Sequence, residues 1–149
     1  MAVFKRILVA ADFSEPSGRA LELAISIARE SGAELHVVHV CEIPVYGDLS
    51  GSIDLVTPLT EAADARLGEL MASLRDVSPG AKRILKVGAA WEQILASAAE
   101  IGADLIVLGT HGRRGFSHAM VGSVAERVVR LSEVPVLTVR ARPAKQSGS

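Results

Sequence analysis

The stretch Asp104-Leu105-Ile106-Val107-Leu108-Gly109-Thr110-His111-Gly112-Arg113-Arg114-Gly115-Phe116-Ser117, followed by Gly122-Ser123-Val124, passes from an unbroken apolar run through a glycine-rich loop into a segment of helical spacing. An apolar run without polar alternation reads as a strand covered on both faces, which favours a parallel sheet. Outward from it, four similar runs rich in branched residues occur at Arg6 to Ala10, Glu34 to Val40, Arg83 to Val87 and Pro135 to Val139. Five strands are predicted.

The segments between them carry helical periodicity. Leu21, Ala24, Ile25 and Ala28 recur at helical spacing, with Ser14 as N-cap, Pro16 in the first turn and Gly32 just beyond the end. A second helix is predicted from about Pro58 to Val77, with Thr57 as cap and Leu67, Leu70, Met71 and Leu74 as its buried stripe. A third turns Trp91, Ile94, Leu95 and Ala98 to one side and stops at Gly102. A fourth opens near Gly122 and turns Val124, Val128 and Leu131 inward. Alternating strands and helices with right-handed crossovers predict a doubly wound α/β fold, Rossmann-like, with a five-stranded parallel sheet and helices on both faces.

The chain has 149 residues, enough for one core without disulfide or metal support. A single domain over residues 1–141 is expected, and the polar stretch 142–149, with Pro, Gly and Ser, is expected to be a disordered tail. Residues 41–57 form a long irregular stretch of the kind that is either functional or mobile. Sixteen basic against 17 acidic residues leave a net charge of −1, and no basic run is interleaved with aromatics. That argues against nucleic acid as a partner. The apolar runs are far shorter than the about 18 residues of a membrane span, and the run at Ile7 to Ala11 is too short for a signal-peptide core. The expected setting is the cytoplasm, with no membrane contact. The lone Cys41 sits in an apolar run and reads as packing.

Glycines at the end of a strand let backbone amides approach a ligand, and a following helix N-terminus adds N–H donors and partial positive charge. A phosphate cradle has these properties, although turns and helix starts also use glycine. Neither GxxxxGK[ST] nor a GxGxxG after the first strand is present, so the commoner nucleotide fingerprints fail.

The spacing is more specific. Gly109, two residues, Gly112, nine residues, then Gly122-Ser123 resembles the nucleotide-binding motif of the ATP-binding subclass of the universal stress protein family. Ile7-Leu8-Val9-Ala10-Ala11-Asp12 is similar to the family's first strand with its terminal acid, Leu35 to Val40 to its second, and Asp104 to Gly109 and Val134 to Leu137 to its last two. The resemblance runs from Lys5 to Arg140. It implies a strand order of 3-2-1-4-5 and ATP, with Mg²⁺ or Mn²⁺, at the carboxyl ends of strands one and four. By the same resemblance Ala10, Ala11, Asp12 and Val40 contact the adenosine, Gly109, His111 and Gly112 line the loop, and Gly122, Ser123 and Val124 meet the phosphates. The function implied is a stress-response module regulated by nucleotide occupancy, acting on a protein partner the sequence does not name. Its last strand, Pro135 to Val139, is an apolar edge expected to pair in a homodimer.

Each assignment has an alternative. Asp12 either meets nucleotide or metal, or helps to cap the first helix. Ser123 with Glu126 has the form of a capping box, a role compatible with phosphate contact. His111 lacks a second His or a Cys at ligand spacing, so no metal site is assigned. Arg113 and Arg114 either screen phosphate or are simply solvated, and Val40 also reads as an ordinary strand residue. The functional alternatives are a slow ATPase or phosphotransferase, for which Asp12 is the only obvious base and no catalytic residue is assigned, and a structural dimer module without nucleotide.

Overall fold

The computed structural model describes residues 3–43, 56–110 and 122–141. Strands β1 (Arg6–Ala10), β2 (Glu34–Cys41), β3 (Lys82–Val87), β4 (Leu105–Gly109) and β5 (Val136–Val139) alternate with helices α1 (Glu15–Ser31), α2 (Val56–Ser73), α3 (Ala90–Ile101) and α4 (Ser123–Leu131). The strands are parallel, in the order β3-β2-β1-β4-β5. Val9 is opposite both Val37 of β2 and Val107 of β4, which fixes the central three strands in register.

Alternation along each strand splits the interior into two cores. Ile7, Val9, Leu35, Val37, Leu105 and Val107 face α1 and α2, where they meet Ala20, Leu21, Ala24 and Leu67. Leu8, Val38, Ile106 and Leu108 face α3 and α4, where they meet Ile94, Ala98, Ala125 and Val128. Residues such as Ile7, Leu8 and Ile106 are wholly buried, each contributing roughly 1.5–3 kcal/mol of transfer free energy. That two-sided burial explains why the strands lack polar alternation.

The ends of α1 follow its sequence. Ser14 accepts the Ser17 amide at 3.3 Å, and Gly32 takes the left-handed conformation that closes the helix onto Ala28. Other boundaries differ from those expected. α2 begins two residues before Pro58 and ends at Ser73, leaving Leu74 buried just beyond it and Val77 exposed. Leu131 is 48% exposed rather than inward; it lines an apolar recess with Leu95, Ala99 and Val134, at the amino end of β4. Trp91 is partly buried against the α3–α4 core, with the Arg127 guanidinium 5.4 Å from its ring centroid, so it is a rim anchor.

Candidate nucleotide site at the carboxyl ends of β1 and β4

Strand order reverses between β1 and β4. From β1 the chain crosses through α1 on one face to β2, and from β4 it crosses through α4 on the other face to β5. A crevice opens where two neighbouring strands send their connections apart, which is where open α/β sheets bind ligands.

At its mouth the backbone of β4 is tied on both sides. The Thr110 amide donates to the Val139 carbonyl at 2.9 Å, and the Gly122 amide donates to the Thr110 carbonyl. The end of β4 and the start of α4 are therefore joined directly. His111 and Gly112 lie outside the described residues, as do Arg113 and Arg114. Both ends of the glycine motif are nevertheless placed.

Gly109 is required by packing. A Cβ there would lie 2.8 Å from Pro16 Cβ and 2.9 Å from both the Pro16 carbonyl carbon and the Ser17 nitrogen. Two of those atoms are backbone at the start of α1, so no side chain can move aside. The absence of a Cβ lets α1 begin against the end of β4.

α4 opens differently from the capping box expected of Ser123. Gly122 is the N-cap, with φ −62° and ψ 155°, its carbonyl accepts the Glu126 amide at 2.9 Å, and no side chain caps the helix among the described residues. Ser123 is the first helical residue and is exposed, and Glu126 sits one position too late for a reciprocal bond. The first turn thus presents its positive end without a capping side chain of its own.

The β1 side is closely organised. Asp12 is exposed, and its Oδ1 accepts the Ser14 amide at 2.9 Å and the Ser14 hydroxyl. Its own amide donates to Ser17 Oγ at 2.9 Å, and that hydroxyl donates to the Ala10 carbonyl at 3.4 Å. Asp12 therefore supports Ser14, the true cap of α1, in keeping with the capping alternative. Ser17 is 4% exposed and was passed over in the sequence. Its position on the stripe of Leu21, Ala24 and Ala28 was the available signal, because a polar residue on an apolar stripe needs a partner.

Ala10, Val40 and Val124, from three distant parts of the chain, are each partly buried against the α3–α4 core. Ala11 faces the other core. Its side chain is 5% exposed and belongs to the α1–α2 core. At the neighbouring start of α3, where Ala89 offers no capping side chain, Glu42 from the end of β2 accepts the Ala90 amide at 2.9 Å. Among the described residues no group of three His, Cys, Asp or Glu side chains is placed to hold a metal ion, and no helix is long and apolar enough to cross a membrane.

An open parallel sheet in the order β3-β2-β1-β4-β5, with helices on both faces, defines the doubly wound α/β class. The family model described as "Universal stress protein family" matches residues 4–140, so the chain belongs to the universal stress protein family. It is 31% identical to universal stress protein MJ0531 of Methanocaldococcus jannaschii, over 97% of this chain and 86% of that one. The solved structure of MJ0577 from the same organism superposes with a TM-score of 0.81 at 31% identity, covering 94% of this chain and 98% of that one. A universal stress protein from Archaeoglobus fulgidus, solved in complex with dAMP, superposes with a TM-score of 0.66 at 25% identity, covering 93% and 99%.

Proposed function

We propose that this chain is an ATP-binding regulatory module of the stress response, acting through nucleotide occupancy and homodimerisation. The observation that carries the reading is that Ala10, Val40 and Val124 are all partly buried against the α3–α4 core, Ala10 and Val40 near the carboxyl ends of β1 and β2 and Val124 in the first turn of α4. An adenine ring needs a half-buried apolar surface and phosphates need amide donors with positive potential; these apolar residues and the first turn of α4 suit the two roles. Ala10 and Val40 would take the base, and Gly122, Ser123 and Val124 the phosphates, together with His111 and Gly112. Asp12 and a divalent cation, Mg²⁺ or Mn²⁺, would complete the phosphate end. The dAMP-bound relative supports an adenine nucleotide as the ligand class.

Binding is favoured over turnover. Asp12, the acid available as a base, already accepts two bonds from Ser14 and is engaged in shaping α1. A thermal-shift panel of ATP, ADP, AMP, adenosine and GTP, with and without Mg²⁺ or Mn²⁺, tests the reading, since a native-state ligand raises the melting temperature by mass action. Stabilisation by adenine nucleotides but not GTP is expected. No shift with any adenine compound would sink the proposal in favour of a structural module.

The second part of the reading is the dimer. The two sheet edges differ: β3 carries Lys82, Arg83 and Lys86, with Arg83 paired to Asp64 and Lys86 to Glu100 at 2.9 Å, whereas β5 is Val136-Leu137-Thr138-Val139 without a charge. Charged edges resist pairing and apolar ones invite it. The homodimer therefore uses Pro135 to Val139.

A further inference from the structure

The residues on either side of Asp12 are both held from β2 by one side chain. The Ala11 amide donates to the Val38 carbonyl at 2.8 Å, and the Ala11 carbonyl lies 2.7 Å from His39 Nδ1. A carbonyl only accepts, so that imidazole nitrogen carries a proton. The same ring packs against Phe13, with centroids 4.6 Å apart and planes tilted by 50°. Phe13 has φ +66° and is the only non-glycine residue with positive φ among those described. A bulky side chain persists in that region only where its surroundings hold it. Here they do: His39 packs against the ring, and the Arg66 guanidinium of α2 lies 4.1 Å from its centroid. Ala11 is gripped through its backbone and Phe13 through its ring, and Asp12 stands exposed between them.

We propose that His39 is a positioning residue for nucleotide recognition: its Nδ1–H bond to the Ala11 carbonyl and its contact with Phe13 set the turn that presents Ala10 and Asp12 to the ligand. This rests on the nucleotide reading above. His39 touches no ligand; it acts through the backbone, from the α1–α2 side of the sheet.

Three variants separate the hydrogen bond from bulk. His39→Leu keeps apolar volume against Phe13 and removes the donor. His39→Asn keeps a donor close to the place of Nδ1, and His39→Gln moves it toward the place of Nε2. The readouts are calorimetric titration with ATP, melting temperature, and amide exchange of Asp12 and Phe13 without nucleotide. The expected result is ATP affinity about ten-fold weaker in His39→Leu and His39→Gln, with His39→Asn within about three-fold of wild type. Asp12 and Phe13 amide exchange should follow the same order. Should His39→Leu fail to fold, the Asn and Gln pair carries the comparison. Wild-type affinity and exchange in folded His39→Leu or His39→Gln would overturn the proposal, as would equal losses in Asn and Gln. If wild type takes up no adenine nucleotide while exchange still follows the variants, the nucleotide reading falls and the clamp on the turn stands.

Discussion

Gly109 and Pro16 approach so closely that a methyl group on the former would sit 2.8 Å from Cβ of the latter. Gly109→Ala therefore has to push the start of α1 away from β4. Overpacking of this kind typically costs about 1–3 kcal/mol. The expected outcome is a clear fall in melting temperature, with or without nucleotide. A Gly109→Ala protein as stable as wild type would show that α1 can retreat freely.

Ser123 offers a cleaner probe of the proposed phosphate contacts. It is the first residue of α4 rather than its N-cap, and aspartate is favourable in a first turn. Ser123→Asp should leave the melting temperature unchanged or raised. A carboxylate beside bound phosphate should weaken ATP steeply and adenosine far less. Titration of both ligands decides it; equal ATP affinity in the two proteins would place the phosphates elsewhere.

The edge proposed for the homodimer can be blocked without touching the core. The Pro135 and Val139 carbonyls accept from Ile106 and Thr110 of the β4 segment, so by alternation the Val136 and Thr138 amides point to the free edge. Leu137 and Val139 pack inward, which makes lysine at Leu137 a test of the core as well as of the edge. Thr138→Pro removes an outward donor at a place where an edge strand tolerates proline. Wild type should sediment as a dimer and Thr138→Pro as a folded monomer; a wild-type monomer at micromolar concentration would refute the interface.

At the amino end of β2, the Glu34 carboxylate accepts from His36 Nε2 at 3.4 Å and from Arg6 Nε at 3.3 Å. The His36 bond, with Lys82 and Arg6 nearby, holds its pKa below the ordinary 4.5. A carboxyl with a lowered folded-state pKa binds protons more readily when unfolded. Its contribution is complete above the unfolded value and is lost as pH falls through the folded one. Glu34→Gln should thus be less stable than wild type at neutral pH, with the gap closing in acid. Denaturant midpoints measured across that range test it, and a gap that widens in acid would contradict the assignment.

Ser97 is wholly buried, and its hydroxyl has no hydrogen-bond partner among the described residues. It lies on the inward stripe of α3 with Ile94 and Ala98. Removing an unpartnered buried hydroxyl and gaining alanine's helix propensity should together leave Ser97→Ala as stable as wild type or better, by up to about 1 kcal/mol. A loss of that size instead would reveal a bond that the hydroxyl makes.

The apolar runs located all five strands because burial on two faces keeps the central strands β1 and β4 almost wholly apolar, and even β2, β3 and β5 keep a core of branched residues. Their ends were less legible. Asp104 drops out of β4 because its carboxylate accepts the Lys5 and Arg6 amides at 2.8 and 3.2 Å, and Pro135 has no amide with which to begin β5. Cys41 joins β2, where its carbonyl accepts the Gly88 amide at 3.1 Å. At the site, Asp12 and the glycine positions were visible as residues of unusual type at fixed spacing. Ser123 was read as a cap because serine caps so often; glycine one position earlier took the role. His39 and Phe13 could not be read, since their significance depends on β2 lying beside the end of β1. Local pattern carries nothing of that adjacency.

The bond from the Gly122 amide to the Thr110 carbonyl joins the start of α4 to the end of β4, and the Thr110 amide ties the same residue to Val139 of β5. Three elements thus share one anchoring backbone unit. A shift of the chain at Thr110 is felt by β4, β5 and α4 together, so the carboxyl edge of this half of the sheet moves as a unit or not at all.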